Sequence, residues 1–140
     1  MIYVDTSVVV AALTNEGQTK RMQAWLGRQA ADQLGISEWV ATEFSAALSM
    51  KVRGGFVDQR QRADVLAKFT SLAADTFVIL PISATQFRTA ARFANHAASG
   101  LRAADALHLA VVADHGAALA TLDRQLAKAA TSLGVSIRAV

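Results

Sequence analysis

Four short segments, Ile2-Tyr3-Val4, Leu34-Gly35-Ile36, Phe77-Val78-Ile79-Leu80 and Ala118-Leu119-Ala120, are apolar without the alternation of a half-solvated strand. A strand with no polar face must be covered on both sides, as in parallel sheets. Helix-length stretches separate these segments. Asp5 ends the first strand, and Thr6 or Ser7 can cap a helix running to about Thr14, broken by Asn15-Glu16-Gly17. A second helix is expected over roughly 19–31. Ser37 can cap a third, reaching about Val52 and stopped by Gly54-Gly55. Asp58 can cap a fourth, with Val65, Leu66, Phe69 and Leu72 along one face. Further helices fit about 84–97, 102–115 and 123–133, with Ser99-Gly100 as a break, and Val135 to Val140 reads as a last strand. Strands alternating with helices predict an α/β fold with a central, mainly parallel sheet, and ligands in such sheets bind beyond the carboxyl ends of the strands.

The length of 140 residues suits one domain with a substantial core, and 53% hydrophobic content excludes a disordered chain. The absence of cysteine excludes disulfides and thiolate metal sites. Asp5 stands where a secretory leader would be apolar, and no uncharged apolar run nears the roughly 18 residues of a spanning helix. The expectation is a cytoplasmic protein without membrane contact. Net charge is +3, from 14 basic and 11 acidic residues. A basic exterior around an acidic pocket suits a polyanionic substrate.

Two acids fall where the pattern calls for hydrophobes. Glu43 lies within the stripe formed by Trp39, Val40, Phe44, Ala47 and Leu48. Asp105 is flanked at four residues on either side by Leu101 and Leu109. An ionised carboxylate on a buried face costs several kcal/mol unless a cation or donors compensate it. With Asp5 and Asp123 beside strand ends, a shared hard cation is the economical explanation, magnesium or manganese before zinc. Such an ion would also relieve repulsion among the acids, so the metal-free protein should be the less stable form.

Each acid has a plainer reading. Asp5 and Asp123 can be helix N-caps, Glu43 can snorkel outward, and Asp105 sits about a turn deep for a good cap. A cap at Asp123 is compatible with a place in the site. His108, one turn beyond Asp105, fits a structural histidine hydrogen-bonded near the site better than a ligand. Ser7 and Thr121 suit caps, yet stand close enough to orient a water. Arg88, Arg92, Lys51 and Arg53 read as solvated charges, and Arg102 is the candidate phosphate contact. Trp25 and Trp39 read as core or interface.

The segments Met1-Ile2-Tyr3-Val4-Asp5-Thr6-Ser7, Trp39-Val40-Ala41-Thr42-Glu43-Phe44, Leu101-Arg102-Ala103-Ala104-Asp105-Ala106-Leu107-His108-Leu109-Ala110 and Thr121-Leu122-Asp123 together resemble the PIN domain, and specifically VapC toxins of type II toxin–antitoxin systems. The resemblance spans essentially the whole chain. It implies a three-layer α/β/α sandwich as a single PIN-like nuclease domain over 1–140 and magnesium-dependent endoribonuclease activity. It also implies a VapB-type antitoxin partner and a homodimer. Position by position, Asp5, Glu43, Asp105 and Asp123 match the family's acidic quartet, with Ser7 and Thr121 at the adjacent hydroxyl positions.

The expected reaction is hydrolysis of an RNA phosphodiester by metal-activated water, with arginine and the ion stabilising the transition-state charge. One rival is a phosphotransfer or receiver-type domain in which Asp5 accepts phosphate. It lacks the second Asp of the haloacid-dehalogenase pattern, because Ser7 stands there. The other is a non-catalytic binding module whose acids dock a basic peptide.

Overall fold

The computed structural model describes residues 1–96 and 100–140. The chain runs β1 (Ile2–Val4), α1 (Thr6–Leu13), α2 (Thr19–Leu26), a 3-10 turn (Ala31–Gln33), β2 (Leu34–Ser37), α3 (Glu38–Arg53), α4 (Gln59–Thr76), β3 (Val78–Leu80), α5 (Ala84–Ala94), α6 (Ala103–Asp114), β4 (Ala118–Ala120) and α7 (Arg124–Ser132).

The sheet order is β3-β2-β1-β4, and every pair is parallel. Ile2 lies opposite both Leu34 and Ala118, so β1 is interior, as its lack of a polar face requires. The chain steps from β1 to β2 to β3 in one direction, then returns across the sheet to β4. α1 to α4 pack among themselves and α5 packs on α6, and the right-handed crossover rule sets these two groups on opposite faces of the sheet. The result is a three-layer α/β/α sandwich. Because all strands are parallel, their carboxyl ends share one edge, and Asp5 and Thr121 follow β1 and β4 there.

The core between the layers holds Tyr3, Val4, Leu34, Ile36, Phe44, Leu48, Leu109 and Leu119, all fully buried. Phe44 of α3 stacks on Phe69 of α4 with ring centroids 4.4 Å apart, tying those helices together. α6 is buried over the whole run Ala106–Val112 and behaves as a central helix. Among the described residues no helix is long and apolar enough to cross a membrane.

The structure departs from the sequence reading in particular places. The second helix stops at Leu26, with Gly27 as its C-cap, and Ala31 belongs to the 3-10 turn. Asp5, rather than Thr6 or Ser7, caps α1. Ser37 occupies the N-cap of α3, yet its side chain makes no bond to the helix, forgoing a stabilisation of about 1 kcal/mol. The expected strand over 135–140 contributes a single bridge, Leu119 to Ile137, since Ser136 to Ala139 are exposed. α5 ends at Ala94; the expected end at Ala97, and Ser99 of the expected break, lie outside the described residues. Gly116 and Gly134, which close α6 and α7, have φ of 57° and 72°, the left-handed conformation that ends a helix most cheaply with glycine.

Phe44→Ala removes the stacked ring and leaves a cavity between α3 and α4. It should cost about 3–5 kcal/mol in equilibrium urea unfolding. A loss below about 1 kcal/mol would show that this contact does not hold the two helices.

Candidate metal centre

Asp5 is only 5% exposed at the end of β1, and its backbone N–H donates to Ala120 O at 2.9 Å, extending the ladder to β4. Its Oδ2 accepts from Ser7 N (3.2 Å), Ser7 Oγ (2.5 Å) and Thr121 Oγ1 (2.8 Å). Ser7 Oγ in turn accepts from Leu122 N at 3.0 Å, and Thr121 Oγ1 accepts from Asp123 N at 2.9 Å. Three donors on one oxygen fix the carboxylate and stitch the loops after β1 and β4 together. Oδ1 faces the other way, 3.5 Å from His108 Nε2.

Glu43 projects from the second turn of α3, half-buried as its place in the apolar stripe predicts. Its Oε2 accepts from Thr6 Oγ1 at 2.5 Å and from His108 Nε2 at 2.6 Å. Burial works to raise this carboxyl, but the hydrogen bond and charge of His108, helped by Thr6 and Trp39, hold it below the usual carboxylate range. The Trp39 indole N–H is buried near Glu43 without completing a hydrogen bond of its own. Burial likewise pulls His108 down, and is outweighed by the bond to Glu43 and the charges of Asp5, Glu43 and Asp105. The imidazole is therefore held above its ordinary pKa. Both shifts describe one charge-assisted pair.

Asp105 occupies the first turn of α6, and its carboxylate is hydrogen-bonded by the Arg102 backbone at the N-cap. As the sequence predicts, Asp105 is not the cap: Arg102 holds that position, three residues before it. Burial raises its pKa and Asp123 adds to that, outweighing the backbone bond and the charges of His108 and Arg102. Asp123 is exposed and caps α7, with Oδ1 accepting from Gln125 N (2.7 Å) and Leu126 N (3.1 Å). The cap reading therefore holds for Asp123 and not for Asp105, and both residues face the same space.

That space is an open cavity of about 330 Å³ on the carboxyl edge of the sheet, lined by Asp5, Glu43, Asp105 and Asp123 together with Thr6, Ser7 and His108. The sequence-derived quartet converges. The tightest group differs from it: one ligand atom each from Asp5, Glu43 and His108 lie within 4.8 Å of one another. Asp105 and Asp123 form the outer part. Oxygens with one borderline nitrogen, and no thiolate, fit a hard divalent cation. Arg102 is exposed at the rim, and its charge reaches Asp105.

Sequence reasoning placed His108 correctly as a hydrogen-bonded neighbour, but missed Thr6 and Tyr3. Tyr3 is fully buried, and a buried phenol needs a partner for its hydroxyl, which is the signal that could have found it. Lys51 is paired with Glu16 at 2.7 Å.

The PIN domain family model matches residues 2–131. The chain belongs to the PIN domain family. Membership supports a nuclease activity for this PIN chain, consistent with a carboxylate-rich edge. The fold is shared with solved PIN-like structures of low identity. FitAcB from Neisseria gonorrhoeae aligns with TM-score 0.73 and 19% identity, covering 98% of this chain and 96% of that one. VapBC2 from Rickettsia felis, bound to a promoter DNA fragment, gives 0.67 and 16%, covering 100% and 99%. VapC20 from Mycobacterium tuberculosis, a toxin that cleaves the sarcin-ricin loop, gives 0.73 and 17%, covering 92% and 95%. No curated protein matches the chain.

Asn caps a helix about as well as Asp, so Asp123→Asn separates the cap from the negative charge. It should hold unfolding stability within about 0.5 kcal/mol, whereas Asp123→Ala should lose about 1 kcal/mol. Equal losses in chemical denaturation would show that the carboxylate charge itself is what α7 requires.

Proposed function

We propose that this PIN chain is a magnesium-dependent endoribonuclease, the VapC-type toxin of a type II toxin–antitoxin system, with residues 1–140 as a single nuclease domain. The observation that carries the reading is the meeting of Asp5, Glu43, Asp105 and Asp123 in one cavity. These four are the proposed catalytic and metal-holding residues, for Mg²⁺ or alternatively Mn²⁺. When bound, the ion supplies the positive charge that polarises water and stabilises the phosphorane-like transition state.

The chain's own groups have assigned tasks. Ser7 and Thr121 hold Asp5 by its Oδ2, which presents Oδ1 to the cavity. Thr6 and His108 hold Glu43 by its Oε2. Asp105, whose carboxyl is pushed up by burial and Asp123, gains most from a cation, because neutralising the crowding keeps it ionised. Arg102 at the rim is the proposed phosphate contact. An acceptor role for Asp5 in phosphotransfer is disfavoured: one oxygen carries three donors and the other faces His108.

A VapB-type antitoxin partner is supported by the likeness to VapBC2, and an RNA substrate by the likeness to VapC20. The proposed homodimer is supported by an apolar groove where Trp39, Phe87 and Leu107 meet, with Phe87 58% exposed.

Asp5→Asn and Asp105→Asn keep side-chain size, and at Asp5 the helix cap, while removing one charge each. Each should lower Mg²⁺-dependent cleavage of RNA by on the order of 100- to 1000-fold, with circular dichroism unchanged. Undiminished cleavage by either variant, freed of contaminating nuclease, would defeat the assignment. A saturating excess of about 100 Kd of Mg²⁺ should stabilise the wild type by about 2.7 kcal/mol. No shift in the thermal midpoint would exclude a resident ion.

A further inference from the structure

Ser37 ends β2 at the N-cap of α3, with extended backbone (φ −115°, ψ 168°), yet its hydroxyl ignores the helix it could cap. It is fully buried and lies 2.7 Å from the Tyr3 hydroxyl. Tyr3, also fully buried on β1, places the same hydroxyl 2.8 Å from His108 Nδ1. The far nitrogen of that ring, Nε2, bonds Glu43 Oε2 at 2.6 Å. Four residues from β1, β2, α3 and α6 thus form one unbroken line from the sheet interior to the acidic cavity.

We propose that Ser37 and Tyr3 are positioning residues that act through His108 to fix the Glu43 carboxylate for the metal centre. This rests on the nuclease reading above. The geometry needs no particular protonation state. Nε2 donates to Glu43, and Nδ1 can donate to the phenol oxygen or accept from its hydroxyl, with Ser37 completing the pattern either way. With both nitrogens engaged, the ring cannot turn without breaking a buried bond. Glu43 Oε2, pinned by His108 and by Thr6, keeps its carboxylate plane.

Phenylalanine and alanine would fill the same volumes without burying two hydroxyls. In their place the chain keeps a polar line that meets the cavity through His108 Nε2, at Glu43 Oε2 and beside Asp5 Oδ1. Partners of this kind behind a ligating side chain commonly set metal affinity by about 10- to 100-fold.

The test is calorimetric titration of the full chain with Mn²⁺, comparing wild type, Tyr3→Phe, Ser37→Ala and Ser37→Thr. Thr14→Val serves as control, because it also removes a buried hydroxyl, one that donates to Val10 O at the opposite end of α1. Tyr3→Phe and Ser37→Ala should weaken Mn²⁺ binding by about 10-fold or more, well below each variant's thermal midpoint. Ser37→Thr should restore the affinity and Thr14→Val leave it unchanged. Should Tyr3→Phe fail to fold, Ser37→Ala decides alone. Wild-type affinity in the hydroxyl-deleted variants, or an equal loss in the Thr14 control, overturns the relay while leaving the metal centre standing. A wild type that binds no Mn²⁺ overturns the metal centre and the relay with it.

Discussion

Everything at the functional edge follows from the electrostatic cost of Asp5. A carboxylate only 5% exposed at the end of an interior strand would be prohibitive alone. It is tolerated because Ser7 and Thr121 direct three hydrogen bonds to one oxygen, while the other oxygen turns to a cavity where His108 Nε2 lies 3.5 Å away. The folded chain compensates Asp5 and Glu43 from within, and leaves Asp105 and Asp123 crowding each other at the rim. That residual imbalance is what a divalent ion would relieve, and it sits at the edge where a parallel sheet delivers strand ends and helix starts together.

The fold serves this arrangement through its connections. The β1 and β4 ends are neighbours because the chain crosses back over the sheet after β3. That crossing brings α6 down beside β1, so Asp105 and His108, three residues apart on one helix face, both line the cavity. α3 contributes Glu43 from the other layer. No single segment could build the site; the three-layer packing assembles it from residues more than one hundred positions apart.

Much of this was legible in the sequence, for physical reasons that differ from residue to residue. β1 and β2 were readable because complete burial leaves no alternation, while β3 kept its apolar run although Val78 and Ile79 are exposed at the sheet edge, and Glu43 was readable because an acid in an apolar stripe demands compensation. The convergence of the quartet followed from strand-end positions and from the resemblance. Other features were hidden. Whether Asp5 or Ser7 caps α1 depends on backbone angles that both residues can adopt. Ser37 reads as an ordinary cap, and only the position of Tyr3 on the neighbouring strand shows its hydroxyl diverted. Val135 to Val140 reads as a strand by composition, but its residues lie at the solvent-exposed margin of the sheet and pair only once. The part played by His108 inside the tightest ligand group needed the three-dimensional meeting of α3, α6 and β1.

The most direct measurement of the central claim is anomalous diffraction from crystals of the chain equilibrated with Mn²⁺. The account predicts a peak in the cavity on the carboxyl edge, within about 2–2.5 Å of carboxylate oxygens that include Asp5 and Asp105. A clear peak held elsewhere, or an empty cavity at saturating Mn²⁺ with all four acids ordered, would contradict it.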